Sequence, residues 1–321
     1  MYPPRMAKII QHETIIPEDL AGLRLDQALA KLFPQYSRSR LKTWLDNKKI
    51  KVNDEYWQPK NKVSGNEKII IEAKLEEETK HCAESIKLEI IYEDDDIIIV
   101  NKPPGMVVHP AIGNRNNTLL NALLHHSPQL KELPRAGIVH RLDKDTSGLL
   151  MIAKTLEAHT NLVKQLQDRK ILREYKTIVQ GSLISGNTID APIGRHPRQR
   201  IKMAVVDMPN KGKPAITHYR IIERFQNYTY IKVKLETGRT HQIRVHMAHI
   251  HHPIVGDQAY GGRLKLPKGA SAELIDALQQ FKRQALHAYK LGLKHPLTGE
   301  FMSWEADIPE DMKILLSIIS H

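Results

Sequence analysis

The sequence predicts an α+β protein whose larger domain holds a mixed, largely antiparallel sheet, with a smaller module in front of it. Strand-like alternation and helix-like periodicity are interspersed without the regular βαβ spacing of a doubly wound fold. The charged stretch 76–87 has few large apolar side chains, which is typical of a linker. We therefore expect a tail over residues 1–17, a module over 18–75, this linker, and a second domain over 88–321.

Composition excludes several classes of protein. Of the 321 residues, 41% are hydrophobic and 26% are charged, so the chain can bury a core and is not disordered as a whole. The single cysteine, Cys82, cannot form an internal disulfide, and no apolar run approaches the roughly 18 residues that cross a membrane. We expect a cytoplasmic protein without a secretory signal. The formal net charge of +12 favours an anionic partner, which on composition alone is RNA, DNA or acidic lipid.

Two short helices and two short strands are predicted in the N-terminal module. The first helix stops near Pro34, and its buried face holds Leu25, Ala28, Leu29 and Leu32. Ser39 is placed to cap the second helix, whose inward residues are Leu41, Trp44 and Leu45. The short strands are expected at 50–52 and 69–71.

The outer face of the second helix is basic, with Arg38, Arg40 and Lys42 pointing away from the core. Two short helices on a small β base resemble the alpha-L RNA-binding domain first seen in a small-subunit ribosomal protein. The resemblance implies that these three side chains contact RNA. A solvated helix face without a partner is the alternative interpretation.

Strands and helices are mixed in the second domain. Apolar runs predict strands at 97–100 and 149–153, and alternation predicts strands through Tyr175, Thr177 and Val179 and through Ile231, Val233 and Leu235. Helices are expected at about 155–169 and from near Thr240 to before Pro253. A basic run interrupted by prolines predicts an exposed loop or hairpin that contacts phosphates through Arg195, Arg198, Arg200 and Lys202. A solvated loop is the alternative.

Two polar segments carry candidate chemistry. In the first, residues 140–148, Asp143 is flanked by Arg141 and Lys144, and nearby cations favour the ionised form that acts as a nucleophile or base. A simple turn aspartate is the alternative. In the second segment, residues 237–246, Arg244 lies near the start of the predicted helix. Its guanidinium can hold the Asp143 carboxylate by two parallel bonds, while a surface arginine is the alternative.

The motifs resemble those of the RluA-type pseudouridine synthases. The matching segments are Lys102-Pro103-x-Gly105, residues 140–148, Arg173-Glu174-Tyr175, residues 237–246 and residues 284–288, in the family's order and spacing. The resemblance covers about residues 88–310. It implies that Asp143 is the catalytic aspartate, Tyr175 the active-site tyrosine and Arg244 the arginine paired with the aspartate. Arg141 matches the arginine that enters the RNA helix where the target base has left.

The resemblance implies an isomerase that converts specific uridines of large-subunit (23S) ribosomal RNA, or of a precursor 50S particle, to pseudouridine. Asp143 would attack the sugar or take its 2′ proton, and Tyr175 would serve as general base or proton relay. The uracil must first leave its stack, and Arg141 is suited to fill the gap. The reaction adds and removes nothing, so we expect no cofactor, and we expect the protein to act as a monomer.

Two other functions were weighed against the isomerase. A non-catalytic rRNA-binding assembly factor would keep the fold but would not require Asp143, Tyr175 and Arg244 together. A metal-dependent hydrolase would use the histidine cluster at His246, His249, His251 and His252. That cluster lacks the Glu of an H-E-x-x-H motif and any cysteine ligand, so we expect no metal site.

Overall fold

The computed structural model describes residues 9–34, 36, 38–74, 82–110, 114–199, 201–206 and 212–320. The chain divides into two compact units, Met1–Lys80 and His81–His321. None of the helices in the described ranges is long and apolar enough to cross a membrane. The predicted linker at 76–87 falls partly outside these ranges.

The first unit is a three-stranded antiparallel sheet with two helices. Its elements are β1 (Ile9–Ile15), α1 (Leu25–Leu32), α2 (Arg38–Asp46), β2 (Ile50–Val52) and β3 (Lys68–Lys74). The strand order is β1-β3-β2. The core contains most of the predicted apolar helix positions, namely Leu25, Ala28, Leu29, Leu41, Trp44 and Leu45. The predicted helices and short strands are thus confirmed.

Two features of this unit differ from the sequence prediction. The expected tail over 1–17 is wrong for Ile9–Ile15, which form β1 and pair with β3. The apolar–polar alternation of this strand is not visible in the sequence because His12 takes an inward position. Its ring contacts the rings of Phe33 and Tyr36, and one ring nitrogen lies 2.8 Å from the Tyr36 hydroxyl. A polar imidazole thus occupies a position at which a strand pattern would predict an apolar side chain. The second difference is that α2 begins at Arg38, so Ser39 lies inside the helix instead of preceding it.

The described residues of the second unit contain eleven strands, and nine of them form one sheet. In chain order the eleven strands are β4 (Ile90–Glu93), β5 (Ile97–Lys102), β6 (Ser147–Ala153), β7 (Leu172–Gln180), β8 (Asn187–Asp190), β9 (Ile193–Arg195), β10 (Met203–Val205), β11 (Ile216–Arg224), β12 (Tyr228–Leu235), β13 (Leu286–Lys294) and β14 (Phe301–Glu305). The sheet order is β4-β5-β6-β13-β7-β12-β11-β8, with β14 beside β13 and with β9 and β10 forming a separate hairpin. Among the pairs in the described residues only β6 and β13 run parallel, which confirms the predicted mixed, largely antiparallel sheet.

Five helices accompany this sheet in the described residues. They are α3 (Leu119–His126), α4 (Leu156–Gln167), α5 (Gln242–His249), α6 (Ala272–Gln280) and α7 (Glu310–Ile319). Strand β6 is buried along its whole length, and its neighbour β5 sends Ile98 and Val100 into one apolar cluster and Ile97 and Ile99 into another. Burial on both faces explains why these strands read as continuous apolar runs.

The parallel contact between β6 and β13 fixes the polar segment that precedes β6. Ser147 and Gly148 pair with His287 and Ala288. Gly148 has φ +115°, and a Cβ there would lie 2.3 Å from the carbonyl oxygen of Ala288. Only glycine fits this approach, so the segment that carries Asp143 is held against the end of β13.

Candidate active site

A buried lysine, Lys102, is hydrogen-bonded to the segment that carries Asp143. The Lys102 ammonium donates to the carbonyl oxygens of Pro103, Met106 and Lys144 at 2.9, 3.0 and 2.9 Å. Burial lowers the pKa of Lys102 to about 7, against the opposing effect of the two nearby carboxylates Asp145 and Asp143. The motif at residues 102–105 is therefore joined to the Asp143 segment through the Lys102 side chain, whose role was not predicted from the sequence.

The helix that carries Arg244 is positioned by a hydrogen-bonded glutamine. The Gln242 side-chain oxygen accepts bonds from the Thr237 hydroxyl and the Arg239 amide, at 2.8 and 2.9 Å. Its amide nitrogen donates to the Ile216 carbonyl and the Thr217 hydroxyl on β11, each at 3.0 Å. The turn before α5 is thus fastened to β11 at the helix's first residue.

Arg244 joins two carboxylates. Its Nη1 donates to Asp143 Oδ2 at 3.0 Å, as the sequence predicts for this pair. The two parallel bonds, however, go to Asp257, where Nε and Nη2 donate to Oδ2 and Oδ1 at 2.7 and 2.9 Å. The expected bidentate contact with Asp143 is therefore wrong, because the fork of the guanidinium is already occupied by a fully buried aspartate.

Asp257 was missed by the sequence analysis although its carboxylate orients Arg244. Its Oδ1 also accepts the backbone N–H groups of Ala259 and Tyr260, at 2.9 and 3.0 Å. The available signal was an acidic residue directly after the buried pair Ile254-Val255 and the turn glycine Gly256. Burial alone would lower the pKa of Arg244, but Asp257 and Asp143 raise it above its ordinary value, so the guanidinium stays charged.

Tyr175 lies in β7 with 6% of its surface exposed. Burial raises the pKa of its hydroxyl, the Arg173 charge opposes that rise, and the Asp143 charge adds to it. The phenol is therefore neutral at physiological pH. The effect of the Asp143 charge on this pKa indicates that the phenol lies on the same side of the domain as Asp143, while the contact between Asp143 and Arg244 is direct.

A histidine and a second tyrosine complete the surroundings of Asp143. His241 Nε2 lies 3.8 Å from Asp143 Oδ1, and its Nδ1 lies 2.8 Å from the Tyr260 hydroxyl. The Arg244 guanidinium lies over the Tyr260 ring, 5.1 Å from its centroid. Burial lowers the pKa of His241, which outweighs the opposing effect of the Asp143 charge. His241 lies in one of the sequence motifs, but no role was predicted for His241 or for Tyr260.

The basic residues predicted to bind RNA occupy several environments. Arg141, beside Asp143, is exposed, as are Arg195 and Arg198 on the hairpin of β9 and β10. Arg200 lies outside the described residues. The Lys202 ammonium donates to the Ala259 carbonyl at 2.7 Å, so at least one of its three donors is used within the protein.

In the N-terminal unit the predicted RNA-binding residues all lie on α2. Arg38 donates to Asp26 at 2.8 Å with about half of its side chain exposed. Arg40 is half-buried and Lys42 is exposed.

At least two of the four histidines considered as metal ligands, His246 and His252, make hydrogen bonds within the protein. His246 places its two ring nitrogens 2.9 Å from the Thr217 hydroxyl and 2.9 Å from the Ala191 carbonyl. His252 Nδ1 lies 2.8 Å from the Gln180 carbonyl. Among the described residues the group with metal-like spacing is Asp94, Asp96 and His295, which includes none of these four histidines. There the Asp94 oxygens already accept bonds from the Tyr92 hydroxyl and two backbone amides.

The chain is similar to proteins of known class. A family model described as RNA pseudouridylate synthase matches residues 96–249. Ribosomal large subunit pseudouridine synthase D of Haemophilus influenzae is 55% identical over 315 residues, which cover 98% of this chain and 96% of that protein. The protein of the same name from Escherichia coli is 53% identical, with the same two coverages of 98% and 96%. The structure of human RNA pseudouridylate synthase domain containing 1 matches with a TM-score of 0.54 and 25% identity, over 70% of this chain and 85% of that chain.

Proposed function

Because this chain belongs to the RNA pseudouridine synthase family, we propose that it is an isomerase that converts specific uridines of large-subunit (23S) ribosomal RNA to pseudouridine. The family predicted from the motifs is confirmed by the family model and by the curated relatives, which carry the name ribosomal large subunit pseudouridine synthase D. In this reaction the glycosidic carbon–nitrogen bond breaks, the uracil turns, and the sugar rejoins it at ring carbon 5. No atom is gained or lost.

The observation that carries the proposal is the chain of charges Asp143–Arg244–Asp257. Asp257 occupies the fork of Arg244, and Arg244 presents its remaining Nη1 to one oxygen of Asp143. The bond from Arg244 holds Asp143 Oδ2 and fixes the orientation of the carboxylate. The other oxygen, Oδ1, is available to act on the ribose as a nucleophile or as the base that takes its 2′ proton. Both routes need a carboxylate that is held in one position.

Tyr175 and Arg141 act on the target base, Tyr175 on the detached uracil and Arg141 on the gap that the base leaves in the RNA. A neutral buried phenol can stack on the detached uracil and relay a proton when proton loss is coupled to the step. The target base must leave its stack at a cost of a few kcal/mol, which contacts with the protein offset. Exposed and adjacent to the catalytic segment, the Arg141 guanidinium is suited to stack where the base was.

RNA is held by basic residues in both units under this proposal. The predicted module 18–75, extended by β1 at Ile9–Ile15, acts as an alpha-L RNA-binding domain that the predicted linker 76–87 joins to the catalytic domain. The phosphate contacts come from Arg38, Arg40, Lys42, Arg195, Arg198 and Arg200. Lys202 is assigned to anchoring the hairpin, because its ammonium is bonded to Ala259. The protein acts as a monomer in the cytoplasm, on the free rRNA or on a precursor 50S particle.

Replacement of Asp143 by asparagine tests the proposal. Asp143→Asn keeps the shape of the side chain but removes its charge, so we expect no pseudouridine product with folding and RNA affinity nearly unchanged. The assay incubates purified protein with large-subunit rRNA and maps pseudouridine chemically. Asp276→Asn, an exposed aspartate on α6, is the matched control and should retain full activity. Product formation by Asp143→Asn at the wild-type rate would contradict the proposal.

A further inference from the structure

We propose that Tyr260 is a positioning residue that links the docked hairpin arm to Asp143 through His241. The hairpin arm is defined as residues 193–199 and 201–205, which include β9 and β10. The inference rests on the proposed function, because it concerns how the catalytic carboxylate is oriented. Its content is that hydrogen bonds join the arm to Tyr260 and Tyr260 to His241, whose Nε2 lies 3.8 Å from Asp143 Oδ1.

The arm touches the loop after α5 at two consecutive residues. The Lys202 ammonium donates to the Ala259 carbonyl at 2.7 Å, and the Met203 backbone amide donates to the Tyr260 hydroxyl oxygen at 2.9 Å. The same loop accepts the Arg244 guanidinium through Asp257. One short segment, residues 257–260, therefore contacts both the arm and the residues that hold Asp143.

The direction of the next hydrogen bond follows from counting protons. A backbone amide can only donate, so the Tyr260 oxygen accepts from Met203. The hydroxyl proton finds an acceptor among the described residues in His241 Nδ1, at 2.8 Å. If His241 Nδ1 donated to the oxygen instead, that proton would have no hydrogen-bond acceptor among the described residues, so we assign the proton to the Tyr260–His241 bond. A neutral imidazole whose Nδ1 accepts carries its own proton on Nε2. Burial, which lowers the pKa of His241, favours this neutral form.

The proton on Nε2 faces the catalytic carboxylate. His241 Nε2 is 3.8 Å from Asp143 Oδ1, while Arg244 holds Oδ2. In the Nε2-protonated tautomer the His241 N–H lies on the same side as Asp143 Oδ1, at a distance that gives an electrostatic attraction without a direct hydrogen bond. In the other tautomer His241 would turn a lone pair toward the carboxylate, which repels it. Tyr260, held by the Met203 amide of the arm, thereby favours the His241 tautomer that attracts and orients Asp143.

The test removes only the hydroxyl group. Tyr260→Phe keeps the ring beneath Arg244, so the cation–π contact survives while the link from arm to histidine is lost. We expect the single-turnover rate on a large-subunit rRNA fragment to fall about tenfold, with RNA affinity nearly unchanged. Tyr92→Phe is the matched control, since it removes a hydroxyl bonded to Asp94 at 2.7 Å and should leave the rate as in the wild type.

A second measurement reads the tautomer directly. Nitrogen-15 NMR of histidine-labelled protein should show the His241 ring protonated on Nε2 in the wild type and a mixture of tautomers in Tyr260→Phe. His241→Asn identifies the signal, and asparagine tolerates the left-handed φ of 57° at this position. A merely structural role of Tyr260 would not change the tautomer.

The outcomes separate the two proposals. If the wild type forms no pseudouridine, the proposed function fails. If the wild type is active and Tyr260→Phe keeps both its single-turnover rate and its Nε2 tautomer, the positioning role is overturned. A loss of RNA affinity with an unchanged rate would also overturn it, because Tyr260 would then be a binding contact.

Discussion

Arg244 shows how one side chain divides its bonds between orientation and chemistry. Asp257 has no exposed side-chain surface and takes both arms of the guanidinium fork, while Asp143 is partly exposed and takes one bond. A buried arginine without its main partner is an uncompensated charge, which is strongly destabilising. The buried carboxylate of Asp257 is therefore as necessary to the geometry of the site as the carboxylate of Asp143.

Replacement of Asp257 by asparagine should reduce both stability and catalysis. Asp257→Asn removes the charge that neutralises Arg244, so we expect a loss of about 3 to 5 kcal/mol in unfolding free energy. We also expect a fall in single-turnover rate of about a hundredfold, since Arg244 can rotate away from Asp143. Urea unfolding and the pseudouridine assay measure these effects.

Asp311→Asn is the control for this prediction. Asp311 takes a similar two-bond contact from Arg283, at 2.6 and 2.7 Å, but 43% of its side chain is exposed. An exposed pair contributes about 1 kcal/mol or less. If the two variants lost the same small amount of unfolding free energy, Asp257 would contribute no more to stability than an exposed ion pair does, which would contradict the prediction.

At the scale of elements, what the sequence predicted depended on whether a segment carries its own periodicity. Strands β5 and β6 and helices α1, α4 and α5 were predicted because their apolar spacing is local. Strand β1 was missed because His12 occupies an inward position. Asp143 and Arg244 were predicted because both lie in sequence motifs. Asp257 was not predicted, because the chain after α5 folds back to place it against Arg244, and such a contact leaves no periodic pattern in the sequence.

The junction of β6 and β13 gives a prediction at this scale. Gly148→Ala adds a Cβ that would lie 2.3 Å from the Ala288 carbonyl oxygen in a backbone at φ +115°. Strain and steric overlap together should cost about 4 kcal/mol or more. Gly299→Ala is the matched control, because Gly299 also has positive φ, +75°, but no atom lies within 4 Å of an added Cβ. It should cost about 1 kcal/mol. Urea unfolding of both variants measures the difference, and similar losses would mean that the close approach to β13 is not limiting.

Across the whole molecule, charge is distributed for an extended anionic partner. Residues 101–321 hold 32 Lys and Arg against 18 Asp and Glu, a net charge of +14, so this part of the sequence alone exceeds the net charge of +12 of the whole chain. Composition predicted such a partner but could not say which cations would meet it. The structure separates them, since Arg198 is exposed on the hairpin arm whereas the Lys202 ammonium is bonded within the protein.

Salt dependence of RNA binding distinguishes these two kinds of cation. Each phosphate contact releases counterions, so Arg198→Gln should lower the slope of log affinity against log salt by about 0.7 to 0.9. Lys202→Met should leave that slope nearly unchanged and should instead lower the single-turnover rate, because its ammonium anchors the arm to Ala259. Filter binding of a large-subunit rRNA fragment across a range of salt concentrations measures both slopes. A fall in slope for Lys202→Met equal to that for Arg198→Gln would show that RNA displaces the carbonyl contact, and that the arm is anchored by Met203 and Tyr260 alone.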